Sequence, residues 1–207
     1  MTRNKNHWYD GRFYDFFIAP NQDRLFEQIK NHIEPNSTVI DVGCGTGRFS
    51  FSVSDKCKSV WGIDLSERNI KRAKHTLAKN QNEKISFKHK SISEIIAEGE
   101  EHFDYAVMTF VIHEVVESER INLLNEILSV ADKIIIGDYL VPKPDGFWSL
   151  LNEAVEFTAG RDHYRNYKSY LNKGGLKELA KENGLKIESE IKNKPSTSHI
   201  VVLSEEK

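Results

Sequence analysis

Residues 40–47 read IDVGCGTG: an acidic residue closing an apolar run, then glycines at every second position. The β-branched run STVIDV at 37–42 predicts a short strand that stops at those glycines. Gly43, Gly45 and Gly47 take backbone angles denied to other residues and let a ligand approach the main chain closely. A helix predicted to follow would point unpaired N–H groups at an anion. A second β-branched run, KSVWGIDL at 58–65, follows after GRFSFSVSDKC, which is long enough for a short helix. Strand, bare loop, helix and strand in that order predict a βαβ unit with a ligand at its carboxyl edge.

The alternation extends on both sides. Upstream, Leu25, Phe26, Ile29 and Ile33 recur at helical spacing, predicting a helix over 23–33 that ends near Pro35. Downstream, residues 67–80 set Ile70, Ala73 and Leu77 on one helical face. ISFKHKSI reads as a strand, FDYAVMTFVI as another, RINLLNEILSVA as a helix with Ile121, Leu124, Ile127 and Leu128 inward, and KIIIGDYL as a further strand. The rhythm breaks at VPKPDG (141–146). After it, FWSLLNEAVEFTAG predicts a helix, RDHYRNYKSYLNKGG an aromatic, polar segment, 175–183 a helix, and LKIESEIKN and SHIVVLSEE two strands of a hairpin-like ending. The expected class is α/β: a doubly wound, mostly parallel sheet covered on both faces. No repeat or linker divides the chain, so one domain is expected over 1–207, with an N-terminal helical cap at 1–34 and a lid or wall inserted at about 141–171.

Composition narrows the classes. The 207 residues carry 29 basic and 31 acidic side chains, a formal charge of -2, with 39% hydrophobic and 10% aromatic residues. That balance argues against nonspecific nucleic-acid or membrane binding as the main activity. The N-terminal stretch lacks the apolar core of a signal peptide, and no run approaches the ~20 apolar residues of a membrane span. Two cysteines, Cys44 and Cys57, do not make a disulfide framework, so a cytoplasmic location is expected.

Spacing decides which ligand the loop suits. A dinucleotide fingerprint needs a third glycine where this chain has Arg48, and a Walker loop needs Gly-Lys-Ser/Thr after a longer gap. The pattern is Asp41-x-Gly43-x-Gly45-x-Gly47. Asp64 falls at the carboxyl tip of the second strand, where a carboxylate accepts hydrogen bonds from both hydroxyls of a ribose. Helix capping is the alternative, since Asp64 and Ser66 both precede the helix beginning near Glu67.

Taken together, DVGCGTG, GIDLS and FDYAVMTFVIHEV, each in its place among the strands and helices, resemble the class I S-adenosylmethionine-dependent methyltransferases. The likeness covers about residues 23 to 140 in pattern and the remainder in element order. It implies a seven-stranded, Rossmann-like sheet whose terminal hairpin supplies the one antiparallel strand. It also implies that the loop from Asp41 through Gly43, Cys44, Gly45, Thr46 and Gly47 runs along the methionine part and ribose of S-adenosylmethionine. By the same resemblance Asp64 holds the ribose hydroxyls, Leu65 lies against the adenine, and Thr109 and Phe110 sit beneath the sulfonium. The family commonly places an acidic residue after the third strand for the adenine amino group, whereas this chain has Ser91 followed by Ile92.

The methyl group of a sulfonium is already electrophilic, so such an enzyme aligns a nucleophile behind it at roughly 3 Å and excludes water. A base is needed where the acceptor arrives protonated. His113 and Glu114 follow the fourth strand, and His113 titrates in the range of a neutral-pH base; packing under the lid is its structural alternative. Tyr9, Tyr14 and Asp15 in HWYDGRFYDFF form a second candidate group, with Tyr14 able to offer a hydroxyl or an aromatic face to the sulfonium. His163, Tyr164, Asn166 and Tyr167 suggest a third, a substrate-binding wall, or a surface that stacks RNA bases. The residues after the fourth strand are TFVI, not the Asn/Asp-Pro-Pro-Phe/Tyr run tied to base methylation in this family. A small-molecule acceptor is therefore expected, with RNA or protein methylation, a noncatalytic cofactor-binding module and a nicotinamide oxidoreductase as rivals. No metal is expected, because the eight histidines show no ligand spacing and His113-Glu114 lacks the second helical histidine of a zinc motif.

Overall fold

The computed structural model describes residues 19–99, 102–194 and 197–206. Helix α1, Ala19–His32, leads into β1, Thr38–Val42, and the short α2, Arg48–Val53. Then follow β2, Ser59–Ile63, α3, Glu67–Asn80, β3, Ile85–Lys88, and α4, Ile92–Ala97. β4, Phe103–Thr109, runs into 3-10 turns at Ile112–Glu114 and Glu117–Glu119, then α5, Arg120–Leu128, and β5, Ala131–Tyr139. The last third holds α6, Phe147–Thr158, α7, Arg161–Asn172, α8, Gly175–Glu182, and the strands β6, Leu185–Lys192, and β7, Ser198–Glu205.

The seven strands form one sheet in the order β3-β2-β1-β4-β5-β7-β6. β7 runs antiparallel to both of its neighbours, and the other pairings are parallel. Strand order reverses between β1 and β4, so the carboxyl ends of β1, β2 and β4 open on one crevice. The central strands read as continuous apolar runs because both faces are covered. Val39, Val107 and Ile135 pack on Leu25, Phe26 and Ile29 of α1 and Phe49 of α2. Ile40, Ala106, Ile134 and Ile136 pack against Ile92 and Ile95 of α4, Leu124 and Ile127 of α5, and Leu176 and Leu179 of α8. Each fully buried aliphatic side chain contributes about 1.5–3 kcal/mol.

Three local expectations are corrected. The strand read over ISFKHKSI stops at Lys88, because Ser91 caps a helix that the periodicity did not reveal. Its hydroxyl accepts from Glu94 N at 3.2 Å and the Glu94 carboxylate answers at Ser91 N, 2.8 Å, a reciprocal capping box. Ile121, expected inward, is 36% exposed, while Leu124 and Ile127 carry the contact. RDHYRNYKSYLNKGG is mostly helix: His163, Asn166, Tyr167 and Tyr170 are buried along one face of α7. Spacings of three and four make that face continuous despite its polar atoms.

Candidate functional site

The glycine loop leaves β1 and folds back on the end of β2. Gly43 N and Cys44 N both donate to Ile63 O, at 2.8 and 2.9 Å, and Gly47 N closes a turn on Cys44 O at 2.9 Å. All three glycines have positive φ, but for different neighbours. A Cβ on Gly43 would lie 2.5 Å from Val111 Cγ2, and one on Gly47 2.4 Å from Phe87 Cζ. A Cβ on Gly45 would meet nothing within 4 Å. Gly43 and Gly47 are therefore bare for packing, and Gly45 is bare towards open space. The Cys44 thiol packs beneath the loop with Ile70, Ala73, Ile85 and Phe87, and burial pushes its pKa well above the usual thiol range.

Asp64 faces this loop. One carboxylate oxygen accepts from Gly45 N at 2.8 Å and the other from Ser66 N at 2.7 Å. The cap of α3 is Ser66, whose hydroxyl accepts from Asn69 N at 3.3 Å, so Asp64 orients the loop and leaves capping to its neighbour. Leu65 is 39% exposed beside it. Ser91 is committed to its capping box and Ile92 is buried in the core.

Asp41 is wholly buried between β2 and β4, with one oxygen accepting from Ser50 Oγ at 2.6 Å and the other, Oδ1, without a hydrogen-bond partner. Burial raises its pKa to about 7; the Ser50 bond opposes the rise and the charge of Asp64 adds to it. Two acidic side chains, an unsatisfied buried oxygen and an open Gly45 match a ligand with a ribose diol and a cationic end.

The opposite wall of the crevice begins where β4 ends. Phe110 takes φ 56, an uncommon angle for an aromatic residue, with its N–H donating to Gly137 O at 2.8 Å and its ring centroid 5.4 Å from that of Tyr139. The chain then turns His113 inward, where it is 1% exposed. His113 Nδ1 lies 2.8 Å from Asp138 Oδ1, and Nε2 lies 3.5 Å from Glu156 Oε2. Glu156 Oε1 accepts from Tyr139 Oη at 2.6 Å, and its Oε2 lies 2.7 Å from His163 Nδ1. His163 Nε2 reaches Glu114 Oε1 at 2.9 Å. Burial alone would lower both imidazoles, yet the carboxylates outweigh it. His113 is held well above its ordinary value by Asp138 and Glu156, and His163 rises to about 9 beside Glu114 and Glu156. Glu156 is correspondingly held far below the usual carboxylate range by the two histidines, against the effect of burial.

Arg120, buried at the start of α5, fastens this wall. Its guanidinium donates to Val115 O at 3.1 Å and Asn166 O at 2.7 Å, while Asn166 Nδ2 donates to Glu114 O at 2.8 Å. On the outer side Tyr164 Oη donates to Glu153, which also pairs with Lys143 and Lys168 and is lowered to about 2 by these contacts, Lys143 first. The structure thus brings His113, His163 and Tyr167 into one cluster, with Phe110 reaching its edge through Tyr139, and places Tyr164 outside it; Thr109 is the last residue of β4. Tyr9 and Tyr14 lie outside the described residues. Asp138, Glu156 and Arg120 were missed by the sequence reading. Only Asp138 carried a signal, an acidic residue ending the apolar run IIIGD as Asp41 ends VID.

Comparison with known proteins agrees with this geometry. Residues 39–133 match a methyltransferase domain family. Over 116 residues the chain is 31% identical to the O-antigen chain terminator bifunctional methyltransferase/kinase of Escherichia coli, a match covering 54% of this chain and 16% of that protein. It is 33% identical over 87 residues to the 23S rRNA (uracil(1939)-C(5))-methyltransferase of Aliivibrio fischeri, covering 40% and 20%. Both stretches are a small share of the relatives' length. Among solved structures, the magnesium protoporphyrin IX methyltransferase of Synechocystis PCC 6803, with bound S-adenosylhomocysteine, superposes with a TM-score of 0.68 at 16% identity, over 95% of this chain and 89% of that one. Residues 39–133 are thus similar to a methyltransferase domain, and the sheet as a whole shares the fold of that solved methyltransferase.

Proposed function

We propose that the protein transfers the methyl group of S-adenosylmethionine to a small-molecule acceptor by in-line displacement. The cofactor would lie over Gly45, with the ribose hydroxyls on Asp64, the adenine beside Leu65 and the sulfonium near Thr109 and Phe110. The unpartnered Asp41 Oδ1 is suited to the ammonium of the methionine part. Ser91 and Ile92 would border the adenine through their main chain, since the Ser91 hydroxyl is engaged in capping. When bound, the cofactor supplies the electrophile; the chain supplies alignment and a dry surround.

The observation that favours a small acceptor is the charge of the opposite wall. Glu114, Asp138 and Glu156 converge there, and Lys143 and Lys168 are drawn onto Glu153. A surface built to track phosphates would present its cations outward. The inserted segment at about 141–171, comprising α6 and α7, is read as a lid. His163 and Tyr167 line the acceptor side, with Tyr164 on the outer face of the same helix. His113 is the proposed base for a protonated acceptor; since Asp138 and Glu156 hold it in the charged form, it takes up that role only when the lid lifts and its contact with Glu156 opens. Two free, buried cysteines support a cytoplasmic location, and no helix among the described residues is long and apolar enough to cross a membrane.

The experiment is to supply pure protein with methyl-labelled S-adenosylmethionine and a cell extract, then separate metabolites, protein and RNA. Label in the metabolite fraction is expected and supplies the acceptor's mass. Label confined to RNA or protein would overturn the acceptor class. Absence of transfer together with measurable cofactor binding would favour a binding module.

A further inference from the structure

We infer that His113, Glu114 and His163 form a binding site for one divalent transition-metal ion of the zinc class, a reading that goes beyond methyl transfer and does not depend on it. One ligand atom from each residue lies within 4.8 Å of the others. His163 Nε2 and Glu114 Oε1 are already 2.9 Å apart. Ligands of a four-coordinate zinc stand roughly 3–3.5 Å from one another, given metal distances of about 2.0–2.2 Å. Side-chain adjustments of no more than about 1.3–1.8 Å at His113 close the set.

The atoms behind the ligands carry the inference further than proximity does. A metal-bound imidazole almost always donates its other ring N–H to a carboxylate, which fixes its tautomer and orientation. His113 has that backing, with Asp138 Oδ1 2.8 Å from its Nδ1, and Glu156 Oε2 stands at ion-pair distance, 2.7 Å, from His163 Nδ1 without the geometry of a hydrogen bond. His113 Nε2 and His163 Nε2 both turn towards the space that Glu114 borders. His113 is 1% exposed and its Nε2, turned into the cluster, has no hydrogen-bond partner, a costly state for a buried ring nitrogen. Glu156 is itself aimed by the Tyr139 hydroxyl at 2.6 Å.

Charge points the same way. Three carboxylates, Glu114, Asp138 and Glu156, meet two imidazoles in a largely enclosed space, so a dication on the neutral rings would replace the two imidazolium charges and release their protons. Two histidines and one glutamate leave a position open for water or an oxygen ligand, as in catalytic rather than structural zinc sites. The linear sequence hides the set because the second histidine comes from α7, fifty residues on from His113. A metal there would occupy the lone pair that a general base uses, so the two roles of His113 exclude each other.

The test uses the full, tag-free chain, stripped with a chelator and titrated with Co2+, with binding read from visible absorption and from metal content after desalting. One Co2+ per chain is expected, displaced by Zn2+. Glu114→Gln and His163→Gln should each weaken binding at least about a hundredfold, and Asp138→Asn, which removes only the backing carboxylate, about 10–100-fold. The Glu114 side chain is 37% exposed and the Asn166 bond uses its main chain, so Glu114→Gln should fold normally. No saturable Co2+ binding by the folded wild type, or affinity unchanged in both Glu114→Gln and His163→Gln, would overturn the inference. S-adenosylmethionine binding measured on the same samples separates this outcome from a failure of the methyltransferase reading.

Discussion

The two walls of the crevice are built from different materials. Around Gly43 to Gly47 the shape is backbone: main-chain N–H groups fold onto Ile63 O, and side chains are absent where they would obstruct. Across the crevice the shape is side chain: His113, Asp138, Glu156 and His163 come from the turn after β4, from β5, from α6 and from α7 and meet through long-range contacts. A backbone wall is specified within the one stretch from Asp41 to Asp64 and tolerates few substitutions. A side-chain wall is specified by the tertiary fold and is free to vary with the molecule it faces. That division suits a shared cofactor on one side and an individual acceptor on the other.

The largest expected effect breaks the backbone wall without touching a ligand. Gly47→Val sets a branched side chain at φ 84 against the Phe87 ring, 2.4 Å from the new Cβ. The left-handed angle and the overpacking together should cost about 3–5 kcal/mol, read as a lower urea midpoint. Unchanged stability would mean that the loop is not packed as described.

Asp41 gives the same wall a pH dependence. Its pKa is about 7 in the fold, against 3.8 for an unhindered carboxyl. The folded protein therefore holds this proton longer than the unfolded chain, so the contribution is destabilising as pH rises from about 4 to 7. Linkage sets an upper bound on the order of 4 kcal/mol over that range for the cofactor-free protein. Asp41→Asn should flatten the stability profile between those pH values. An unaltered slope would place the titrating group elsewhere.

The side-chain wall is tested at Arg120, which bridges the turn after β4 to α7. Arg120→Met keeps much of the volume but strips donors from Val115 O and Asn166 O, and should cost about 2–3 kcal/mol in thermal or urea unfolding. Hydrogen exchange should rise most in α7, since that helix loses its tether. A uniform rise over the whole sheet would show that the wall is not a separate unit.

The contrast also explains what the sequence could say. The Asp41 to Gly47 run and Asp64 are short-range signals, so the alternation of strands and helices, the glycine loop and the place of Asp64 at the end of β2 were all legible. The helix at Ile92–Ala97 was not, because its six residues span under two turns and a capping box is easily read as the end of a strand. α7 was misread since its buried face mixes His163 and Asn166 with Tyr167 and Tyr170, and polar atoms become acceptable inside only once Arg120, Glu114 and Glu156 are known to meet them. Glu156 left no trace: one glutamate in an amphipathic helix reads as a solvent residue until α6 is placed over His113.

The finest test separates the two reasons a glycine stands in this loop. At Gly45 a methyl group meets no protein atom within 4 Å, so Gly45→Ala should lose only about 1–2 kcal/mol of stability, from its φ of 56. If that space belongs to the cofactor, S-adenosylmethionine affinity should fall at least about tenfold, equivalent to about 1.4 kcal/mol. Asp64→Ala serves as its partner, because the same carboxylate holds Gly45 N at 2.8 Å and is expected to hold the ribose. Affinity should drop by about 10–100-fold there, and the double variant should fall short of the summed effects, since each change disturbs the same contact. Full additivity would mean that loop and carboxylate act on the cofactor independently, and unchanged affinity in both single variants would move the cofactor off this wall altogether.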